Sequence, residues 1–230
     1  MNFGIIIDNI DLYLQGLWMT VQLVSLSLAT GLVLAVPLAI LANSNNWLLR
    51  GPVWCYSYFF RGTPLLVQTF LIYYGMGQFQ LIKESILWSV FREAYWCALI
   101  AFTLNTAAYT TEILRGAIKN TPRGEIEAAI ACGMSRLLMI RRIILPSAFR
   151  RTLPAYGNEV IFMLHGSSIA GLITLVDLTE AARTINSRYL SPYEAFITAG
   201  LFYMALTFLI VWLFKRIEFR WFAHLRPRSG

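Results

Sequence analysis

Residues 17–42 form a run of 26 apolar or small polar side chains interrupted by no charge. A helix of roughly 20 mainly apolar residues crosses the hydrocarbon layer of a membrane, and such a helix satisfies its own backbone polar groups there. This one segment ties the chain to a bilayer. It starts too far in, and lacks a basic stretch ahead of it, for a cleavable signal peptide. Pro37 lies near one end, which membrane helices tolerate when neighbours re-satisfy the freed carbonyl. Composition extends the argument to the whole chain. Of 230 residues 57% are apolar or aromatic and 13% charged, with a mean hydropathy of +0.59. Soluble domains run nearer about 45–50% and 25%, so a secreted, disulfide-stapled or disordered chain is excluded. Cys55, Cys97 and Cys132 stand singly, with no C-x-x-C, and imply neither disulfides nor zinc.

Four further apolar stretches follow, at about residues 64–79, 94–114, 153–176 and 193–214. The first of these is short for a span. It either begins earlier, through Tyr56 to Phe60, or has an irregular start after Arg61-Gly62-Thr63-Pro64. The expectation is an all-α, polytopic membrane protein with five transmembrane helices, forming one domain over residues 1–230. An odd number of spans puts the termini on opposite sides. Fifteen of the nineteen Lys and Arg residues then fall on the side of the C-terminus, so the N-terminus lies outside and the C-terminus in the cytoplasm. Trp18, Tyr95, Trp96, Tyr193, Trp212 and Trp221 sit near the expected boundaries, as interfacial aromatics do. The net charge of +7 does not point to nucleic acid, because the basic residues flank apolar spans instead of forming one patch.

The longest polar segment, about residues 119–152, is the most informative. Thr121-Pro122 reads as an N-cap with Pro at the first helical position. A short helix with Glu125, Glu127, Ala128, Ala129 and Ile130 follows, and Gly133 supplies a turn that other residues resist. A second helix over about 135–144 interleaves Leu137, Leu138 and Ile140 with Arg136, Arg141 and Arg142, and Leu145-Pro146 is expected to end it. Physics alone allows two readings of this hairpin: a basic amphipathic element resting on membrane lipid, or a docking element for a partner.

Glu127-Ala128-Ala129, Gly133 and Ile143-Ile144-Leu145-Pro146 stand in the register of the EAA signature, E-A-A-x3-G-x9-I-x-L-P, and the chain thereby resembles the permeases of ABC importers. The stretches Phe60 to Gln68 and Asn105 to Gly116 resemble polar-amino-acid permeases, and Asn158 to His165 and Arg220 to Leu225 resemble the M subunit of histidine and arginine/ornithine importers. The run His165-Gly166-Ser167-Ser168-Ile169 departs from the Lys-Asp/Ser-Thr-Ser-Leu that many of them carry. The resemblance implies a type I ABC importer permease fold in a bacterial inner membrane. It implies as partners a second, homologous permease subunit, two copies of a cytoplasmic ATPase and a periplasmic amino-acid-binding protein. The loop would then couple to the ATPase through Glu127, Ala128, Ala129, Gly133, Ile143, Leu145 and Pro146. The chain itself has no G-x-x-x-x-G-K-[ST] to cradle ATP and no H-E-x-x-H or recognisable nucleophile. It is therefore expected to be no enzyme and to hold no metal or cofactor, ATP and Mg being bound by the partner ATPase.

Ionisable residues inside spans mark function by default. Glu112 is three residues from Arg115, and an ion pair at the helix end accounts for it. Glu159 lies deeper, with no Lys or Arg at ±3 or ±4. Asn158 and His165 are seven apart and share a stripe, with Glu159 about 100° round from it. These three are the candidate substrate contacts, each weighed against interhelical hydrogen bonding. The expected function is import of polar, cationic L-amino acids such as histidine, arginine, lysine or ornithine. The rivals are the same machinery carrying an uncharged or acidic amino acid or another small polar solute, an ion-coupled carrier, or a membrane enzyme.

The charge asymmetry makes a topological prediction. In a Cys-free background, a cysteine at position 2 should react with an impermeant reagent from the periplasm, and one at position 230 should not. The reverse pattern would remove the five-span arrangement.

Overall fold

The computed structural model describes residues 4–221, and among these no β-strand occurs. A short turn over Gly4–Asp8 leads into α1, Ile10–Ala42, which passes Pro37 without ending. Helix α2, Trp47–Gly62, is capped by Asn46, whose side chain accepts from the Leu48 N–H at 3.0 Å. Helix α3, Leu65–Phe70, continues as a π turn, Leu71–Gly75, and a 3-10 turn, Met76–Gln78. After two single turns comes α4, Ala94–Lys119, then the loop helices α5, Arg123–Ala131, and α6, Arg136–Met139. A π turn, Ile140–Ile144, joins α6 to α7, Leu145–Gly166, which tightens into a 3-10 segment, Ser167–Ile173. Helices α8, Leu178–Tyr189, and α9, Pro192–Trp221, complete the fold. Asn2, Arg226, Arg228, Gly230 and the stretch from Phe222 to Leu225 lie outside the described residues.

The span count comes out lower than the sequence expectation. Among the described residues α1, α4 and α9 are each long and apolar enough to cross a membrane. The run Arg136–Ile173 adds a fourth if it and α8, bent by 49° from it, count as one span. The remaining expected span, residues 64–79, is not one long helix. Pro64 has no N–H and forces Thr63 into an extended conformation (φ −117°, ψ 144°), which separates α2 from α3. The irregular start allowed for that stretch is what the chain shows.

Two smaller expectations also fail. Thr121 is not an N-cap: its hydroxyl donates back to the Ile118 carbonyl at 2.8 Å, and Pro122 itself precedes α5. Nor does Leu145-Pro146 end a helix. Pro146 lies two residues after the π turn in a run that stays helical from Arg136 onward, and the wider π turn makes room for the ring.

The centre of the bundle is α4, which packs against α1, α2, α3 and α7. Two-thirds of its span is buried, against about a tenth of α9, which forms the rim (67% and 11%). Without a hydrophobic force between helices in lipid, close approach depends on small side chains. Ala98, Ala101, Ala107 and Ala108 of α4 are fully buried, as are Ala35 and Ala39 of α1. At Gly31 a Cβ would meet the Thr106 methyl at 2.5 Å. The main core gathers Leu23, Phe102, Met163, Leu164 and Ile173, and a second cluster joins Tyr13 to Leu178, Ile185 and Ala199.

Gly16 of α1 lies against backbone at the start of α8: a Cβ there would come 2.7 Å from the Asp177 carbonyl oxygen. Backbone cannot yield as a side chain can, so Gly16→Ala should destabilise by about 1–3 kcal/mol. The thermal midpoint of the purified protein should fall, while Gly200→Ala, inside α9 with nothing within 4 Å of the new Cβ, should leave it unchanged or raise it slightly.

Candidate functional site

Helix α4 carries polar side chains on more than one side, and three of them, Thr103, Asn105 and Thr106, are answered by three different helices, while the Thr110 and Thr111 hydroxyls are buried without a hydrogen-bond partner among the described residues. Thr103 pairs with Thr30 of α1 at 2.8 Å. Asn105 donates to the Gln68 side-chain oxygen of α3 at 3.0 Å. Gln68 in turn donates to the Phe60 and Thr63 carbonyls, at 2.7 and 2.9 Å, and so occupies acceptors exposed by the break at Pro64. Thr106 donates to the Glu159 carboxylate of α7 at 2.9 Å. Glu159 is 6% exposed, and no basic side chain among the described residues forms an ion pair with it.

The three candidate substrate contacts therefore do not form one polar sector. Glu159 points inward to α4, whereas Asn158 and His165 are exposed on the outer face of the chain. The His165 ring lies 3.3 Å from the Thr207 hydroxyl of α9 and packs edge-on to Tyr203. The roughly 100° that separates position 159 from its neighbours' stripe is enough to send it into a different interface. Glu112 behaves as expected. It receives Arg115 at 2.7 Å and also lies 3.8 Å from Arg61, whose guanidinium stands over the Tyr109 ring. Thr106 was missed by sequence reasoning; its signal was the density of Asn and Thr between positions 105 and 111 of an otherwise apolar span.

A second constellation lies in the loop. At the end of α5, Gly133 adopts φ +71°. Its N–H reaches the Ile130 carbonyl at 2.9 Å, and the Met134 N–H reaches Ala129 at 3.1 Å, the reciprocal pair of a Schellman turn. The turn folds α5 back over the start of α7. Ala128 and Ala129 thereby share a cleft of about 470 Å³ with Ile143, Pro146, Glu125 and Arg142. Of the remaining signature positions, Glu127 is exposed and Leu145 borders a neighbouring cleft. Ile130 and Leu137 are exposed to 61% and 77%. Arg151, which sequence reasoning used only for its charge, closes the loop. It donates to Ser147, to the Ala117 carbonyl and to Thr121, tying α7 to the end of α4. Among the described residues no group of three or more His, Cys, Asp or Glu could hold a metal ion.

Comparison with known proteins places this geometry. Residues 31–223 match the family described as binding-protein-dependent transport system inner membrane component. The chain is 48% identical over 205 residues to the octopine transport system permease protein OccM of Rhizobium meliloti, covering 89% of this chain and 84% of that one. It is 46% identical over 215 residues to the histidine/lysine/arginine/ornithine transport system permease protein HisM of Escherichia coli, covering 93% and 90%. A solved amino acid ABC transporter with histidines superposes with a TM-score of 0.84 at 32% identity, covering 96% of this chain and 99% of that one. The MetNI methionine ABC transporter shares the fold, with a TM-score of 0.76 at 19% identity over 91% and 96% of the two chains.

The turn at Gly133 is testable without a partner. A β-branched residue in left-handed conformation costs about 1–2 kcal/mol. Gly133→Val should broaden the distance distribution between spin labels at positions 125 and 137. An unchanged narrow distribution would mean that the turn does not need glycine.

Proposed function

The chain belongs to the family of inner-membrane components of binding-protein-dependent transport systems, and from that membership we propose that it is the permease subunit of an ATP-driven importer of cationic L-amino acids. Its relatives are transport components, not enzymes. The substrates of this reading are histidine, arginine, lysine and ornithine, those that name the Escherichia coli relative. A second, homologous permease subunit, two ATPase copies and a periplasmic binding protein complete the importer, with ATP and Mg held by the ATPase. The N-terminus lies in the periplasm and the C-terminus in the cytoplasm.

The observation that carries the substrate charge is the buried Glu159 carboxylate, whose hydrogen-bond partner is a neutral hydroxyl, that of Thr106. Such a group in a span is costly unless it gains a counter-charge. When α7 parts from α4, the carboxylate exchanges the hydroxyl for the ammonium, guanidinium or imidazolium of the passing amino acid, forming a charge-assisted hydrogen bond. Asn158 and His165 face outward on the same helix, toward the second permease, and contribute contacts from that side. The loop supplies the drive. Glu127, Ala128, Ala129, Gly133, Ile143, Leu145 and Pro146 form the ATPase-docking element, and α7 carries its displacement directly toward Glu159.

Glu159→Gln keeps the shape and deletes the charge. A charge-assisted bond is worth on the order of 1.5–3 kcal/mol, so affinity for the cationic amino acids should fall roughly 10- to 150-fold. Uptake into proteoliposomes should be impaired, while loaded binding protein still stimulates ATP hydrolysis. Normal uptake of every cationic amino acid by an assembled Glu159→Gln complex would remove Glu159 from the site. Lost assembly or thermal stability with unaltered specificity would make it a packing residue.

A further inference from the structure

At the loop end of the bundle two cavities meet. One is a cleft of about 790 Å³ bordered by Arg141 in the π turn, Arg150 in α7 and Arg220 in α9. Among the described residues no acidic side chain borders it, and none of the three arginine side chains forms an ion pair or hydrogen bond. The other is a cavity of about 280 Å³ enclosed by α1, α4, α7 and α9, with walls that include Leu32, Leu114, Leu153 and Ile217. Phe149 and Trp221 border both, so the basic cleft opens onto the apolar cavity across two aromatic rings.

Three guanidinium groups around one cleft repel each other, and an anion seated among them relieves that repulsion through charge-assisted hydrogen bonds. The apolar cavity beside it suits a hydrocarbon chain. Phosphate chemistry and chain chemistry side by side, at a helix end marked by Trp221, describe an amphiphile lying in the bilayer. We propose that the two cavities together bind one anionic phospholipid, its phosphate among Arg141, Arg150 and Arg220 and an acyl chain past Phe149 and Trp221 into the apolar cavity. The site lies beyond the substrate route and adjoins the coupling cleft, with which it shares Pro146 and Arg150. The lipid joins the π turn that ends the loop to the last helix of the bundle. Through it, the anionic lipid content of the membrane sets how firmly the loop is attached to the spans.

The test uses the assembled permease–ATPase complex in nanodiscs of phosphatidylcholine with increasing phosphatidylglycerol. Lipid retained after detergent exchange is counted by native mass spectrometry. The wild-type complex should keep phosphatidylglycerol in preference to phosphatidylcholine. Each Arg→Gln change should weaken that retention roughly fivefold, and the triple change Arg141→Gln, Arg150→Gln, Arg220→Gln on the order of 100-fold. Ile217→Trp fills the apolar cavity from α9, away from the loop and with the arginines intact, and should also expel the lipid while the ATPase stays bound. Equal retention of the two lipids by the wild type overturns the proposal, as does wild-type retention by the triple variant. If the triple variant sheds the ATPase as well, Ile217→Trp decides. Phosphatidylglycerol retained by that variant at the wild-type level shows that the arginines hold a protein partner instead.

Discussion

A hydroxyl, amide or carboxyl without a partner in hydrocarbon costs several kcal/mol, on the order of the free energy that holds a bundle together. Helix α4 carries Thr103, Asn105 and Thr106 into that environment, and their partners come from three different helices: Thr30 of α1, Gln68 of α3 and Glu159 of α7. Meeting the needs of one helix therefore places the others around it. The small residues along α1 and α4 permit the approach, and the hydrogen bonds set which faces meet.

The break between α2 and α3 follows the same constraint. Pro64 frees backbone acceptors at the start of an apolar stretch, and Gln68 satisfies two of them while its oxygen accepts from Asn105. An interruption that would be costly alone becomes an anchoring point on the central helix. On the other side of α4, Arg151 does similar work at the membrane boundary, holding the start of α7 to the Ala117 carbonyl.

On the proposed reading, coupling and substrate recognition converge on α7: Leu145 and Pro146 belong to the docking element and Glu159 to the route, fourteen residues further along the same helix from Leu145. At 1.5 Å per residue the two lie about 21 Å apart. A rigid helix conveys a shift at one end to the other with few intervening parts. On the proposed reading the Thr106–Glu159 bond is what that shift breaks.

Local signals were strong enough to be read directly. The apolar run of residues 17–42 demanded a span, Gly133 demanded a left-handed turn, and the acid–base pair at Glu112 and Arg115 demanded an interfacial helix end. Each depends on neighbours in sequence, through hydrophobic length, backbone sterics or an i,i+3 spacing. Other features depend on residues far apart in the chain, and only the tertiary structure decided them. Leu145-Pro146 looked like a helix stop, yet a π turn carries the chain through it. Asn158, Glu159 and His165 were read together as candidate substrate contacts, yet Glu159 turns to Thr106, 53 residues earlier, while Asn158 and His165 face out. Helical periodicity states which residues share a face, and it is silent on which neighbour that face will meet, because that depends on the packing of every other helix at once.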